Sequence, residues 1–343
     1  MADYKAIKGF KIRSVSSAPT TDIGQLWYNT TSNTLQFDGV GAGVWASGTN
    51  TPTGNQTGAG LGNTPAAAVV ALGQGPTLAK TNNSITWNGS SWVEGNNTNH
   101  LRSGTCAFGL TTAGMAMGGG GPTGPGQSEV EDYNGTCWTE IVDLAEGYQG
   151  MNACGTTSAG MVASGEPPST KDTQIWNGTS WTETNNLNTL HEYGAISFAG
   201  STTSTVVASG GPDLTHPSGG PTTYTPNTEE WNGTSWTEKA NISIGRHYMG
   251  GTGTASTAMC FGGITKSPTN VYVLSGLVEQ FDGSTWTEIA DMGTARQMFA
   301  RSHGTSTSAL ALAGGTQPSP HTVSAVVEDW DGAPAGVQTV TVS

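Results

Sequence analysis

One short motif constrains this 343-residue chain more than any other feature: an aromatic residue, Asn or Asp, Gly, a few small residues, then Trp, often with Thr-Glu behind it. It stands as Trp87-Asn88-Gly89 with Trp92, Tyr133-Asn134-Gly135 with Trp138, and Trp176-Asn177-Gly178 with Trp181. It returns as Trp231-Asn232-Gly233 with Trp236 and Phe281-Asp282-Gly283 with Trp286. Two divergent copies bracket these. Phe37-Asp38-Gly39 has only a distant Trp45, and Trp330-Asp331-Gly332 has no second Trp. The spacing of the glycines is near fifty residues, the period of repeat architectures. Asn-Gly and Asp-Gly predict hairpin turns of type I′, which need positive φ at both central residues. The two aromatics of an intact copy then face each other across the hairpin and pack on the next unit.

Upstream of each full copy runs a short apolar strand ending in Gly, such as Val206-Val207-Ala208-Ser209-Gly210 or Ala258-Met259-Cys260-Phe261-Gly262. Such continuous apolar runs fit strands covered on both faces. Another short strand precedes each of these, so every repeat predicts four strands, the content of a β-propeller blade. The expected fold is all-β, a propeller of about seven four-stranded blades. The alternative is six blades that close on themselves, with residues 9–47 forming a separate attachment module.

Composition agrees. The 51 glycines and a charged fraction of only 11% suit strands and tight turns and argue against extensive helix. A net charge of −13 argues against nucleic-acid binding, which needs clustered cations on the phosphates. No apolar run is long enough to span a membrane as a helix, and the N-terminus lacks the apolar stretch of a secretion signal. Basic residues do gather at the start, where Lys5, Lys8, Lys11 and Arg13 face only Asp3. This reads either as a docking arm or as a solvated leader. Cys106, Cys137, Cys154 and Cys260 match no zinc or redox spacing, and three of them fall in strands as small buried thiols.

The Gly-ended strand, the aromatic-turn-Trp hairpin and an Arg or His before the next unit resemble kelch repeats, over roughly residues 50–343. The match departs in detail, with Trp-Asn-Gly where many kelch repeats have Tyr-Asp and a longer turn. The N-terminal stretch, with Gly9-Phe10-Lys11-Ile12-Arg13 and Gly24-Gln25-Leu26-Trp27-Tyr28-Asn29-Thr30-Thr31, resembles the start of structural proteins of marine tailed bacteriophages, in which a comparable leader precedes kelch-like repeats. The resemblance implies a non-enzymatic virion protein, assembled in the host cytoplasm. Its expected role is a tail-fibre or adhesion component that contacts the host surface. A head decoration protein and a glycan-binding lectin are the alternatives. The implied division is a docking arm over 1–22, a divergent first blade or attachment module over 23–49, and the repeats over 50–343. Expected partners are other virion proteins through the basic arm, a host surface glycan, and further copies of the chain.

Aligning the repeats brings one polar cluster into register: His100 and Arg102, Glu146 and Tyr148, His191, Glu192 and Tyr193, Arg246, His247 and Tyr248, Arg296 and Gln297. These residues form either a ligand ring near the propeller axis or a set of polar groups that tie strand ends together. Trp87, Trp92, Trp138, Trp176, Trp181, Trp231, Trp236 and Trp286 are assigned to packing. No catalytic, cofactor or metal site is expected. The ligands of a kelch-type copper oxidase are missing, the Asp282-Gly283 pair is not a sialidase aspartate box, and the six histidines are scattered. The sequons at Asn88, Asn134, Asn177 and Asn232 read as turn residues. The longest insertion, from Gly210 to Thr228 with His216, is a candidate recognition loop or a tolerated insertion.

Overall fold

The structure is a computed structural model that describes residues 13–16, 26–40, 43–196, 200–211, 224–266, 271–299, 303–316, 322–332 and 335–339. The chain divides into two compact units, Trp45–Asp331 and a smaller one that takes in both ends, Met1–Val44 and Gly332–Ser343.

The larger unit is an all-β propeller. Blade 1 comprises Ala59–Thr64, Ala67–Ala71, Ser84–Trp87 and Trp92–Glu94. Blade 2 comprises Cys106–Leu110, Ala113–Met117, Val130–Tyr133 and Trp138–Glu140. Blade 3 follows with Asn152–Thr156, Ala159–Gly165, Thr170–Trp176 and Trp181–Glu183. Blade 4 has Ala195–Ile196, Thr205–Ala208, Thr228–Trp231 and Trp236–Lys239. In blade 5, Gly250–Thr254, Thr257–Phe261, Val278–Phe281 and Trp286–Glu288 form the sheet, and a two-stranded ribbon (Ile264–Lys266, Tyr272–Leu274) extends it. Blade 6 joins His303–Thr305, Ser308–Gly315 and Val323–Asp331 to a fourth strand from the other end of the sequence, Val44–Ser47.

The first strand of each blade packs on the first strand of the next, and that of blade 6 packs on that of blade 1, so the ring closes at six. Of the two counts open to the sequence, the ring thus takes six blades. The seventh four-stranded sheet belongs to the smaller unit: Arg13–Val15, Leu26–Asn29, Thr34–Val40 and Ala335–Thr339, the first pair parallel and the others antiparallel.

The two divergent motif copies account for the difference. Trp330 has no following Trp because the chain leaves blade 6 there, and Trp45 supplies the ring instead. Their centroids are 5.4 Å apart, the same separation as Trp87–Trp92, Trp176–Trp181 and Trp231–Trp236 within intact hairpins. Tyr133–Trp138 and Phe281–Trp286 complete the set at 4.7 and 5.1 Å. In each intact hairpin the two aromatics are directly paired across the strands, as the spacing predicts. The second Trp also ties its blade to the one before: the Trp236 indole donates to Thr173 Oγ1 and that of Trp286 to Thr228 Oγ1, both at 3.0 Å.

The turn itself corrects one expectation. Only its Gly has positive φ, between 90° and 94° in the five intact copies, whereas the preceding Asn or Asp does not. The Asn recurs for its side chain: Asn177 Oδ1 accepts the N–H of Thr179 and of Ser180 at 2.9 and 3.0 Å. The other copies repeat this, Asp282 included. These are Asx turns closing four-residue loops rather than two-residue type I′ turns.

Two left-handed residues end the second strand in every blade: Leu72-Gly73, Gly118-Gly119, Ser164-Gly165, Ser209-Gly210, Gly262-Gly263 and Ala313-Gly314. This is why the sequence places Gly there. At Gly73 a Cβ would meet the Gln56 carbonyl at 2.6 Å, too close for any side chain. The same glycines stitch blades together. The N–H of Gly73 donates to the Arg102 carbonyl, Gly119 to Tyr148, Gly210 to Arg246, Gly263 to Arg296 and Gly314 to Asn55, all at 2.7–2.8 Å. Cys106, Cys154 and Cys260 are buried free thiols, and burial pushes Cys154 and Cys260 up to about 12. Cys137 is exposed.

Candidate functional site

The polar cluster legible in the sequence separates into three sets. The first lies inside the blades. Arg102, Arg246 and Arg296 are buried to 1% exposure or less. Arg246 Nη1 donates to the carbonyls of Gly262 (2.9 Å) and Leu277 (2.7 Å), and Nη2 donates to Glu279 Oε1 (2.8 Å). Arg102 makes the same three bonds to Gly118, Glu129 and Glu131. Arg296 makes them to Ala313, Val326 and Glu328. In blade 4 His191 stands in for Arg, with Nδ1 2.7 Å from the Ser209 carbonyl and Nε2 3.1 Å from Glu229 Oε1. The Thr189 hydroxyl meets the same Nε2 at 2.9 Å, so both ring nitrogens are held by polar partners.

Each carboxylate also holds the connector that crosses from the previous blade. Glu229 Oε2 accepts the N–H and the side-chain amide of Asn188, Glu131 Oε2 does the same for Asn99, and Glu279 and Glu328 accept Ser243 and Gly293 N–H. Burial pushes the Glu229 carboxyl up. The hydrogen bonds from His191, Asn188 and Thr189 outweigh that and hold it at about 2. Arg102, His191, Arg246 and Arg296 are therefore struts, and their burial leaves them no surface for an external ligand.

Their partners were missed in the sequence, although a signal exists. Glu stands two residues before the first aromatic of the hairpin in the four blades that carry Arg or His at the strut position: Glu131, Glu229, Glu279 and Glu328. Where that position is Gln174 the strut position is Tyr148, and where it is Ile85 the strut position is Asn55. Gln174 holds its connector without charge, accepting Ala145 N–H (2.9 Å) and donating to the Glu146 carbonyl (3.0 Å). The Tyr148 hydroxyl donates to Asp172 Oδ2 at 2.8 Å. Burial and that carboxylate push it up to about 12.

The second set surrounds the axis. The residue two beyond the bridge-forming Arg, His or Tyr position is left-handed in all six blades: Thr57, Gly104, Gly150, Tyr193, Tyr248 and Met298. Their backbones form a closed circuit. Thr57 N–H donates to Met298 O, Gly104 to Thr57, Gly150 to Gly104, Tyr193 to Gly150, Met249 to Tyr193 and Met298 to Tyr248, at 2.8–3.3 Å. The rings of Tyr193 and Tyr248 meet at 4.5 Å, and the Tyr193 ring lies against Gly150, where a Cβ would strike it. The space left there among Thr57, Gly104, Tyr193, Tyr248 and Met298 is about 20 Å³, enough for one water. Beside this plug Glu192 and His247 are buried, and His247 stacks on Tyr224 at 5.0 Å and 8°. Gln56 and Gln149 hold equivalent positions in blades 1 and 3, bonded to Gln74 Oε1 and Glu166 Oε1.

The third set falls elsewhere. His100 pairs with Glu140 at 3.2 Å on the outermost strand of blade 2, where both side chains are about half exposed. It takes no part in the axial cluster. Arg13 heads the first strand of the smaller unit, and its side chain lies outside the described residues, as do Lys5, Lys8 and Lys11. Most of the long insertion, His216 included, also lies outside them. Among the described residues no group of His, Cys, Asp and Glu is arranged to hold a metal ion.

Compared with known proteins, the chain matches no family model and no curated sequence. A solved structure described as "Structure of YjhT" superposes on 82% of this chain and 95% of its own, with a TM-score of 0.64 and 13% identity. The likeness is one of fold. At that identity YjhT carries no residue roles to this chain, and the struts and axial plug stand on their own geometry.

Proposed function

We propose that this chain is a non-enzymatic structural and adhesion component of a tailed-phage particle, with the propeller as a rigid display body and the smaller unit as its attachment module. The observation that carries this reading is the phage-like leader together with the pairing of Thr34–Val40 with Ala335–Thr339, which joins segments from near both chain ends in the smaller unit. The fate of the ionisable groups supports it. The buried Arg, His and Glu side chains of blades 2, 4, 5 and 6 are paired within their own blades, which suits a scaffold rather than a catalyst. The acidic net charge fits neighbours other than nucleic acid. Partners under this reading are other virion proteins bound through the basic N-terminal arm, and location is the virion.

The test is a cryo-EM reconstruction of purified particles. A few copies at the tail or at a vertex bear out adhesion, hundreds over the shell convert the assignment to head decoration, and absence from the particle overturns it. Particles assembled with a variant lacking residues 1–13 should lose the protein. Undiminished incorporation would remove the docking role of Lys5, Lys8, Lys11 and Arg13.

A further inference from the structure

We infer that the groove between blades 3 and 4 is a binding site for a neutral saccharide. The groove has a volume of about 600 Å³, within the range of small-molecule sites. Most of the side chains that line it carry a polar group. Leu190 is the sole apolar side chain among its described walls; the rest are hydroxyls such as Thr170 and Thr225, the amides of Asn186 and Asn188, and the charged Lys171 and Asp172.

The polar groups are positioned in advance. Asp172 receives the Tyr148 hydroxyl on Oδ2 at 2.8 Å and the Asn186 amide on Oδ1 at 2.9 Å, which fixes its plane and leaves lone pairs on both oxygens. Lys171 Nζ rests on the Asn188 carbonyl at 3.2 Å with two N–H donors to spare. A fixed acceptor and a fixed donor lining one groove are what the hydroxyls of a polyol can satisfy. Lys171 and Asp172 bring one positive and one negative charge to the same groove, which favours a neutral polyol over an anion or a cation.

The repeat does not require this pair. Five and four residues before the hairpin aromatic, the other blades carry Asn82-Asn83, Ser128-Glu129, Pro226-Asn227, Gly276-Leu277 and Ala325-Val326. A cation beside a carboxylate occurs in blade 3 alone: Asp172 anchors Tyr148, which takes the strut position there, whereas Lys171 reaches the Asn188 carbonyl and has no part in the strut. The inference stands apart from the virion assignment: a sugar bound here supports it whether or not the protein is found on particles.

The test is saturation-transfer NMR of the full-length protein with glucose, galactose, mannose and N-acetylglucosamine at millimolar concentration. Transfer to at least one sugar is expected. Lys171→Ala, an exposed site with little bearing on folding, and Asp172→Ala should each weaken it at least about tenfold, the loss expected for one charged hydrogen bond. Asn227→Ala, at the equivalent place in blade 4, should leave it unchanged. No transfer to any of the four sugars, or transfer that survives Lys171→Ala at full strength, overturns the inference.

Discussion

At Arg246 the guanidinium gives up water for one carboxylate and two backbone carbonyls, and the energetics of such a group are asymmetric. Removing one partner strands the other in the interior, whereas replacing both with apolar groups restores a neutral core. Arg246→Met should therefore destabilise the protein by about 3–5 kcal/mol, and adding Glu279→Leu should recover most of that loss. Urea unfolding of the two single variants and the double variant measures the coupling; additive losses would deny the strut. Glu229 adds a pH dependence of defined sign. Its folded value of about 2 lies below its ordinary 4.5. Its contribution is thus complete above about 4.5 and is lost as pH falls toward 2. The stability difference between wild type and Glu229→Gln should shrink over that window, and a difference independent of pH would show that the carboxylate charge does not matter.

At the scale of the element, the hairpin turn depends on one side chain as much as on its glycine. Asn177 Oδ1 satisfies two backbone N–H groups that water would otherwise have to reach. Asn177→Ala should cost about 1 kcal/mol, and Asn177→Asp should be nearly neutral because Asp282 already performs the role in blade 5. Equal losses from both replacements, read by thermal unfolding, would refute the Asx account. The elements were the most legible part of the sequence, because turn chemistry and short apolar runs ending in Gly act over a few residues. The conformation of the Asn was misread for the same reason that the turn was found: Asn-Gly commonly marks a two-residue loop, and only the pairing of Trp176 with Trp181 reveals four.

For the whole molecule, closure is the event that matters. Blade 6 borrows Val44–Ser47, and Trp45 lies against both Trp330 and Phe261 of blade 5. Trp45→Ala should cost on the order of 2–3 kcal/mol, below a fully buried Trp because Trp45 is half buried. Deleting residues 1–47 should do more, raising amide exchange along Val323–Asp331 ahead of the other blades. Uniform exchange in the truncated protein would mean that the ring does not depend on this strand.

What the sequence determined by itself was mostly local: strand content, the place of each turn and the aromatic pair are set by residues within one hairpin of each other, and the repeat length follows from their recurrence. The left-handed glycines belong here too, since their steric need is written at the strand end. The tertiary structure alone decided that seven motif copies make six blades, because Trp45 and Trp330 stand at opposite ends of the chain and meet only when the ring closes. It also decided that Arg102, His191, Arg246 and Arg296 face inward. Their type and register were visible, but an Arg or His near a strand end has the same sequence whether it faces solvent or a buried carboxylate. Desolvation, which depends on the neighbours that folding brings, chose between the two.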